Sequence, residues 1–118
     1  MKAPTFPNVK VVGMHFRGDH AKAWAEAVEP GTEVFYEREP ENKYDSYAIK
    51  VLYNLQHVGY IEATQACFIA PWMDEGTEFT CIVTDKQPGA RANIHPIVCF
   101  TPLEEAEEVV EEQIEETV

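Results

Sequence analysis

Short runs of β-branched and aromatic residues recur along the first 102 residues, and proline, glycine and asparagine separate them. The runs cover residues 8–16, 32–38, 47–53, 57–61, 77–84 and 94–100. Runs of this length bounded by turn residues are typical of β-strands. Their number predicts a mainly β fold, a small closed or half-closed barrel of five to six strands with two short helices.

The two helices are predicted between these runs. Asp19 is expected to cap a helix that continues to Val28. Its apolar stripe would consist of Ala23, Trp24, Ala27 and Val28. Thr64 is expected to open a second helix, which Pro71 would kink or restart and which ends at Gly76.

Four positions predict irregular backbone. Gly13 interrupts the first run, which indicates a bulge or a close backbone approach. Residues 54–56 predict the turn of a hairpin, and residues 86–93 predict a loop. Pro96 is expected at a sheet edge or a bulge, because proline cannot donate a ladder hydrogen bond.

The charge of the chain is distributed unevenly. The formal net charge is −12. Residues 1–102 hold nine bases against thirteen acids, a net charge of −4, whereas residues 103–118 add eight glutamates and no base. We therefore divide the chain into a domain of residues 1–102 and an acidic tail of residues 103–118. The composition excludes a basic nucleic-acid coat, although it leaves room for a localised nucleic-acid site on the domain.

The tail supports two interpretations. Leu103, Ala106, Val110 and Ile114 would form one stripe of a helix. The glutamates oppose a helix, because like charges four residues apart each cost about 0.2–0.5 kcal/mol. The tail is therefore either a solvated acidic terminus or a helix that docks on the domain or on a partner.

Other features limit the class of protein. We expect no secretory signal in the first residues, and no run is long and apolar enough to span a membrane. The three cysteines, Cys67, Cys81 and Cys99, show no CxxC spacing, so we expect reduced buried thiols in a cytoplasmic protein. His95 and Cys99 alone do not make a metal site, and no cofactor is predicted.

Familiar catalytic motifs are absent, and we expect a protein that is not an enzyme. The sequence contains no phosphate-binding loop, dinucleotide fingerprint, HExxH or GxSxG motif. Asp45 and Glu39 could serve a nuclease that uses a divalent metal, but two acids of one loop are a weak basis for such a site.

The segment from Arg38 to Val51 is the densest in chemically informative residues. Its sequence is R-E-P-E-N-K-Y-D-S-Y-A-I-K-V. Turn formation and core packing explain most of it, but they do not require Tyr44. An aromatic ring beside the carboxylate of Asp45 at a loop apex suits a stacked base and a hydrogen bond to a sugar hydroxyl.

Three motifs together resemble the HIRAN domain family. They are V-V-G-M-H-F at residues 11–16, the segment of residues 38–51, and V-G-Y-I at residues 58–61. Their order and spacing agree with the family, and the resemblance covers roughly residues 9–85. HIRAN domains occur fused to helicase-like ATPases and as stand-alone proteins of bacteria and phages. The resemblance implies an OB-like barrel that binds single-stranded DNA, in helicase-linked members at a free 3′ end.

The resemblance also implies roles for individual residues. Tyr44 corresponds to the aromatic that stacks on the terminal base, and Asp45 to the aspartate that accepts a hydrogen bond from the 3′-hydroxyl. Phe16 corresponds to a second stacking aromatic. The predicted nucleic-acid-binding residues are His15, Phe16, Arg17, Asn42, Lys43, Tyr44, Asp45 and Tyr60. A helicase or another replication or repair protein is the protein partner that the resemblance implies.

Two departures from the family pattern weaken the expected attraction of phosphate. His15 replaces a more basic residue, and histidine is mostly neutral near pH 7. Glu62 and Ala63 stand where end-binding members offer lysine. Stacking at about 1–3 kcal/mol per base could still give weak binding. The acidic tail could compete with DNA for the cationic groove, in which case removal of residues 103–118 tightens binding.

Two functions from different classes therefore follow from the sequence. The first is a nucleic-acid-binding module that recognises single-stranded DNA at its 3′ end. The alternative is a protein-interaction or regulatory module of the same fold that has lost DNA binding and uses the acidic tail as its contact surface.

Overall fold

Six antiparallel strands form a closed barrel in the computed structural model, which describes residues 2–104. The strands are β1 (Phe6–Val12), β2 (Glu33–Arg38), β3 (Ile49–Tyr53), β4 (Gln56–Ile61), β5 (Phe79–Pro88) and β6 (Ile94–Pro102). The helices are α1 (Asp19–Ala27) and α2 (Ala63–Asp74), and short 3₁₀ helices span Met14–Phe16 and Ala90–Ala92. The order around the barrel is β1-β4-β3-β2-β5-β6. The predicted mainly β barrel with two short helices is confirmed.

The barrel interior is apolar because alternate residues of each strand point inward. In β5 the side chains of Phe79, Cys81 and Val83 are buried, as their alternation with polar residues predicts. Phe100 is completely buried and packs edge to face on Tyr36 and Phe79. Burial raises the pKa of the Cys81 thiol well above its ordinary value, so this cysteine is an inert part of the core.

The two helices cover the barrel through different contacts. The core side of α1 consists of Ala21, Trp24, Ala25 and Val28, which repeat at helical spacing. Helix α2 contributes Ala66, Ile69 and Ala70 to the core and continues through Pro71. Gln65 fastens α2 to β1, because its amide oxygen accepts a hydrogen bond of 2.8 Å from the backbone nitrogen of Lys10.

Several local predictions are wrong, each for an identifiable reason. Residues 13–16 are not strand, because Gly13 adopts a left-handed φ of 78° and turns the chain into the 3₁₀ helix. Asp19 lies inside α1 and does not cap it, since the N-cap residue is Gly18 and no side chain bonds there. Ala23 and Ala27 are exposed rather than part of the apolar stripe.

The β5–β6 hairpin is longer than the sequence indicates. β5 runs on to Pro88, so residues 86–88 of the predicted loop belong to a strand paired with β6. Pro96 pairs with Lys86 on β5 and lies beyond Ile97, the last residue of β6 that pairs with β1. Its predicted edge position is therefore confirmed on the side of β6 that faces β1.

Some predictions concern residues outside the described range. The acidic tail lies outside it from residue 105 onward, so the question of a helix there is not addressed by the structure. Within residues 2–104, no helix is long and apolar enough to cross a membrane. The same residues contain no group of three or more His, Cys, Asp or Glu side chains placed to hold a metal ion.

Candidate nucleic-acid interface

A bulge in the β3–β4 hairpin determines which side chains meet on the outer surface of the barrel. Leu52 pairs with His57 and Val51 pairs with Gly59, so Val58 is an extra residue without an opposite partner. The extra residue changes the alternation of β4, and Val58 and Gly59 are both buried. His57 and Tyr60 consequently share the outer face, where their rings meet edge to face with centroids 4.7 Å apart.

Gly59 is required where β4 passes the end of β1. A Cβ atom at this position would lie 2.8 Å from the carbonyl oxygen of Val12 and 2.9 Å from Cγ1 of Val11. Backbone at that distance cannot move aside cheaply, so only glycine allows this approach. The close approach sets Tyr60 beside the turn at Gly13, whose missing side chain leaves space 4.0 Å from the Tyr60 ring.

Arg17 joins the 3₁₀ helix to β4. Its guanidinium carbon lies 5.8 Å from the centroid of the Tyr60 ring, a cation–π distance. Its Nη1 lies 3.5 Å from Nδ1 of His57. His57 Nε2 lies 2.9 Å from the carbonyl oxygen of Gly59, which can only accept, so Nε2 carries the proton and Nδ1 is free to accept from Arg17.

Burial lowers the pKa of His57 below its ordinary value, and the positive charges of Arg17 and Lys50 lower it further. A neutral His57 agrees with its role as an acceptor for the guanidinium. The contact therefore orients Arg17 without placing two positive charges against each other.

Glu39 connects β4 to the loop of residues 39–47. Its Oε1 accepts hydrogen bonds from the Tyr60 hydroxyl at 2.9 Å and from the Asn42 amide at 2.5 Å. Its Oε2 lies 3.1 Å from the ammonium of Lys50, which is directly opposite Tyr60 in the β3–β4 ladder. These three donors, led by Asn42, hold the pKa of Glu39 below its ordinary value. Tyr60, which is partly buried and bonded to this carboxylate, has a raised pKa.

Asn42 and Asp45 shape the 39–47 loop. The side-chain oxygen of Asn42 accepts hydrogen bonds from the backbone nitrogens of Tyr44 at 2.9 Å and Asp45 at 3.1 Å. Asp45 Oδ1 in turn accepts from the backbone nitrogen of Tyr47 at 2.9 Å. Asparagine and aspartate form such turns because their side chains can reach backbone two or three residues ahead. Among residues 2–104, no donor is bonded to Asp45 Oδ2.

Arg38 holds the other end of this loop. Its Nη1 donates to the carbonyl of Ala48 at 2.6 Å and its Nη2 to the carbonyl of Ser46 at 2.9 Å. Its Nε and Nη2 also donate to the two oxygens of Asp74 at 2.9 and 3.1 Å. The pKa of Asp74 is lowered by this pairing. Arg38 is thus a positioning residue that fastens the loop to the end of α2.

Two aromatic rings of this region face solvent. Tyr44 is 95% exposed at the loop apex and Phe16 is 72% exposed at the end of the 3₁₀ helix. The His15 ring lies against that of Phe16 with centroids 3.9 Å apart. Both rings are therefore accessible to a ligand that stacks on them.

The structure links most of the predicted residues. Direct contacts run from Arg17 through Tyr60 and Glu39 to Asn42 and then to the backbone of Tyr44 and Asp45. Lys43 is exposed in the same loop. His15 and Phe16 belong to the 3₁₀ helix that ends directly before Arg17. We call this set, together with Glu39, Lys50 and His57, the candidate interface.

Sequence reasoning did not assign Glu39, Lys50 and His57 to this interface. The sequence presents Glu39 only as a potential metal ligand, whereas its bonds to three donors show a structural role. A plain two-residue hairpin would place Lys50 opposite Gly59, and the bulge at Val58 places it opposite Tyr60 instead. A glycine at position 59, inside a predicted strand, is the sequence feature that could indicate this bulge, since glycine inside a strand often accompanies one.

A small closed β-barrel with exposed aromatic rings and cations on one side has the architecture of a nucleic-acid-binding module. The sequence matches the HIRAN domain family over residues 6–98, and the chain belongs to that family. The family resemblance and the barrel predicted from the sequence are therefore both confirmed.

Two solved structures are similar to the chain. A protein from Lactobacillus plantarum is 28% identical with a TM-score of 0.65, and the match covers 81% of this chain and 92% of that chain. The HIRAN domain of human HLTF is 27% identical with a TM-score of 0.62, covering 95% of this chain and 87% of that chain. No curated protein matches the sequence. The family and the HLTF domain support a nucleic-acid-binding module.

Proposed function

We propose that this chain recognises single-stranded DNA at a free 3′ end and acts by binding rather than by catalysis. The observation that carries the proposal is the pairing of Tyr44, 95% exposed at the loop apex, with the adjacent carboxylate of Asp45. A base stacks on the ring, and the neighbouring carboxylate accepts a hydrogen bond from the terminal hydroxyl.

The fixed geometry of the loop supports this role for Asp45. One carboxylate oxygen is committed to the Tyr47 backbone nitrogen, which sets the direction of the carboxylate. The second oxygen is left to accept from the ligand. A terminal phosphate would bring negative charge against this oxygen and could not donate when fully ionised, so the site would reject a 3′-phosphate.

Stacking supplies the binding energy in this proposal, and charge supplies less. Phe16 and Tyr44 offer two platforms, each worth about 1–3 kcal/mol when a base stacks on it. Arg17 and Lys43 are available to phosphates, whereas Lys50 is paired with Glu39. We therefore expect weak binding that depends on salt less steeply than binding by a basic groove does.

The test compares aromatic variants in titrations with a labelled single strand. Phe16→Ala and Tyr44→Ala should each raise the dissociation constant by about five- to 150-fold, the equivalent of one lost stacking contact. Phe68→Ala is the matched control, because Phe68 is 68% exposed on α2, outside the candidate interface. Its affinity should equal that of the unmodified chain.

Two results would contradict the proposal. Equal losses of affinity in all three variants would show that exposed rings contact the strand non-specifically, wherever they lie on the surface. The absence of any binding at low salt would favour the protein-interaction module, which keeps the fold without the DNA-binding activity.

A further inference from the structure

Several cations of the described residues have no acidic partner. Lys10, Arg38 and Lys50 each lie within 4.0 Å of a carboxylate. Arg17, Lys22, Lys43 and Arg91 form no ion pair with any residue of the range 2–104. Arg17 and Lys43 belong to the candidate interface, but Lys22 and Arg91 do not. Cations without acidic partners are available to an anionic ligand.

Lys22 lines a small cleft between α1 and the end of the β5–β6 hairpin. His15, Glu26, Asn93 and His95 line it as well, and its volume is about 50 Å³. Pockets for drug-sized ligands begin at about 300 Å³, so this cleft suits a group as small as a phosphate rather than a base.

The residues that line the cleft include one cation, Lys22, and one carboxylate, Glu26. Glu26 contributes one carboxylate, and its backbone carbonyl accepts a hydrogen bond of 2.7 Å from the ammonium of Lys86. Lys86 itself does not line the cleft, so Lys22 is the lysine that a ligand in the cleft would meet. Lys86 is held by that bond, whereas Lys22 is exposed and able to meet a ligand.

The floor of the cleft is fixed by His95. Its Nδ1 lies 3.0 Å from the carbonyl oxygen of Val11, which can only accept, so Nδ1 is the donor. The His95 ring also fills the space beside Gly89, where any side chain would collide with it. These two contacts hold the His95 ring in one orientation in the wall of the cleft.

His15 connects this cleft to the candidate interface. It lines the cleft, and its ring lies 3.9 Å from that of Phe16 between centroids. A strand with one base stacked on Phe16 would therefore carry its neighbouring phosphate toward His15 and Lys22.

We propose that the cleft is a phosphate subsite for the backbone of the bound single strand, with Lys22 as its principal cation. It takes a phosphate on the 5′ side of the base that stacks on Phe16. The proposal depends on the proposed function, because the direction of the strand is set by a 3′ end at Asp45.

The test uses the full chain with oligothymidylates of two, four, six and eight nucleotides that end in a 3′-hydroxyl. Each titration is made at about 50 and about 200 mM salt. For six and eight nucleotides, Lys22→Gln should weaken binding several-fold at the lower salt. The dissociation constant at about 200 mM salt divided by that at about 50 mM should be about 2.6-fold smaller for Lys22→Gln than for the unmodified chain. One single-strand phosphate contact contributes about 0.7 to the salt slope.

The control variant and the shortest ligand make the result specific. Lys10→Gln removes the same charge from a lysine that already lies 4.0 Å from Glu62, and it should leave the ratio unchanged. The dinucleotide, whose two bases occupy Tyr44 and Phe16 in this proposal, should bind Lys22→Gln and the unmodified chain equally. An equal effect of both lysine variants, or an equal loss for the dinucleotide, would overturn the subsite.

Failure of the subsite can be told from failure of the proposed function in the same experiment. A strand ending in 3′-phosphate is titrated against the unmodified chain. If the chain prefers the 3′-hydroxyl while Lys22→Gln behaves like the unmodified chain, only the subsite is wrong. If the chain shows no preference, the 3′-end function is wrong, and the directional subsite with it.

Discussion

The Tyr60 hydroxyl donates a hydrogen bond of 2.9 Å to Oε1 of Glu39, which joins strand β4 to the 39–47 loop. The same oxygen accepts from Asn42, whose own oxygen holds the backbone of Tyr44 and Asp45. The position of the exposed ring thus depends on a half-buried carboxylate on the side of the barrel.

Glu39 should make the stability of the domain depend on pH. Its pKa is lowered in the folded chain from the ordinary 4.5, so folding favours the ionised form. The stabilisation is therefore complete above pH 4.5 and is lost as the pH falls through the lower folded value. Urea unfolding between neutral and acidic pH measures it.

Replacement of Glu39 isolates this contribution. Glu39→Gln should lower the free energy of unfolding at neutral pH by about 1 kcal/mol, since one charged acceptor of three hydrogen bonds becomes neutral. The same substitution should also reduce the loss of unfolding free energy that occurs as the pH falls below 4.5. Glu41→Gln is the control, because it removes the same charge from a residue of the same loop that takes no part in these hydrogen bonds. If Glu39→Gln lost as much unfolding free energy at acidic pH as the unmodified chain, the pH dependence could not be attributed to Glu39.

Arg38 should be irreplaceable by lysine. Arg38→Lys keeps the charge but loses the planar fork that reaches Asp74, Ser46 and Ala48 together. We expect a loss of about 1–3 kcal/mol in the free energy of unfolding. Amide exchange of residues 44–48 should also become faster. Slow exchange in the variant would show that the loop keeps its shape without Arg38.

Arg17 should influence the protonation of His57 measurably. Removal of its positive charge in Arg17→Ala makes protonation easier, so the pKa of His57 should rise. It should stay below the ordinary 6.5, because burial, the larger cause, remains. An NMR titration of the ring protons measures this, and an unchanged pKa would contradict the contact between the two side chains.

The hairpin turn offers a variant that should increase stability. Asn54 and Leu55 both have positive φ values, 51° and 65°, as the two central residues of a hairpin turn with mirror-image geometry. Leucine is strained in this region and here is 98% exposed, so it contributes no burial. Leu55→Gly should raise the free energy of unfolding by about 0.5–1 kcal/mol, with DNA affinity unchanged. A lower thermal midpoint would contradict this account of the turn.

The sequence predicts the fold better than the interface, and particular residues explain the difference. The alternation of Phe79, Cys81 and Val83 is a local pattern that survives folding unchanged. The meeting of Lys50, Tyr60 and Glu39 instead depends on one extra residue, Val58, which shifts the register of β4. No periodic signal reports such a shift in advance, because register is decided by packing on both faces.

The helix errors have a similar origin. Ala23 and Ala27 have the spacing of a buried stripe, but α1 meets the barrel through Ala21 and Ala25 instead. Small residues fit either face, so Trp24 decides the orientation through its ring, which lies 6.2 Å from that of Tyr53 between centroids. The turn of the 39–47 loop, by contrast, is predictable from the sequence because its hydrogen bonds are local. Asn42 and Asp45 bond to backbone nitrogens only two or three residues ahead.

The central claim is that Asp45 accepts a hydrogen bond from a free 3′-hydroxyl. The most direct measurement compares the affinities of one single strand ending in 3′-hydroxyl and the same strand ending in 3′-phosphate, for the unmodified chain, Asp45→Asn and Glu41→Gln. Glu41→Gln removes the same charge from the same loop and serves as the control. We predict at least a tenfold preference for the hydroxyl, about 1.4 kcal/mol, that Glu41→Gln retains and Asp45→Asn abolishes. Equal affinities of the unmodified chain for the two strands, or a preference that survives in Asp45→Asn, would contradict the claim.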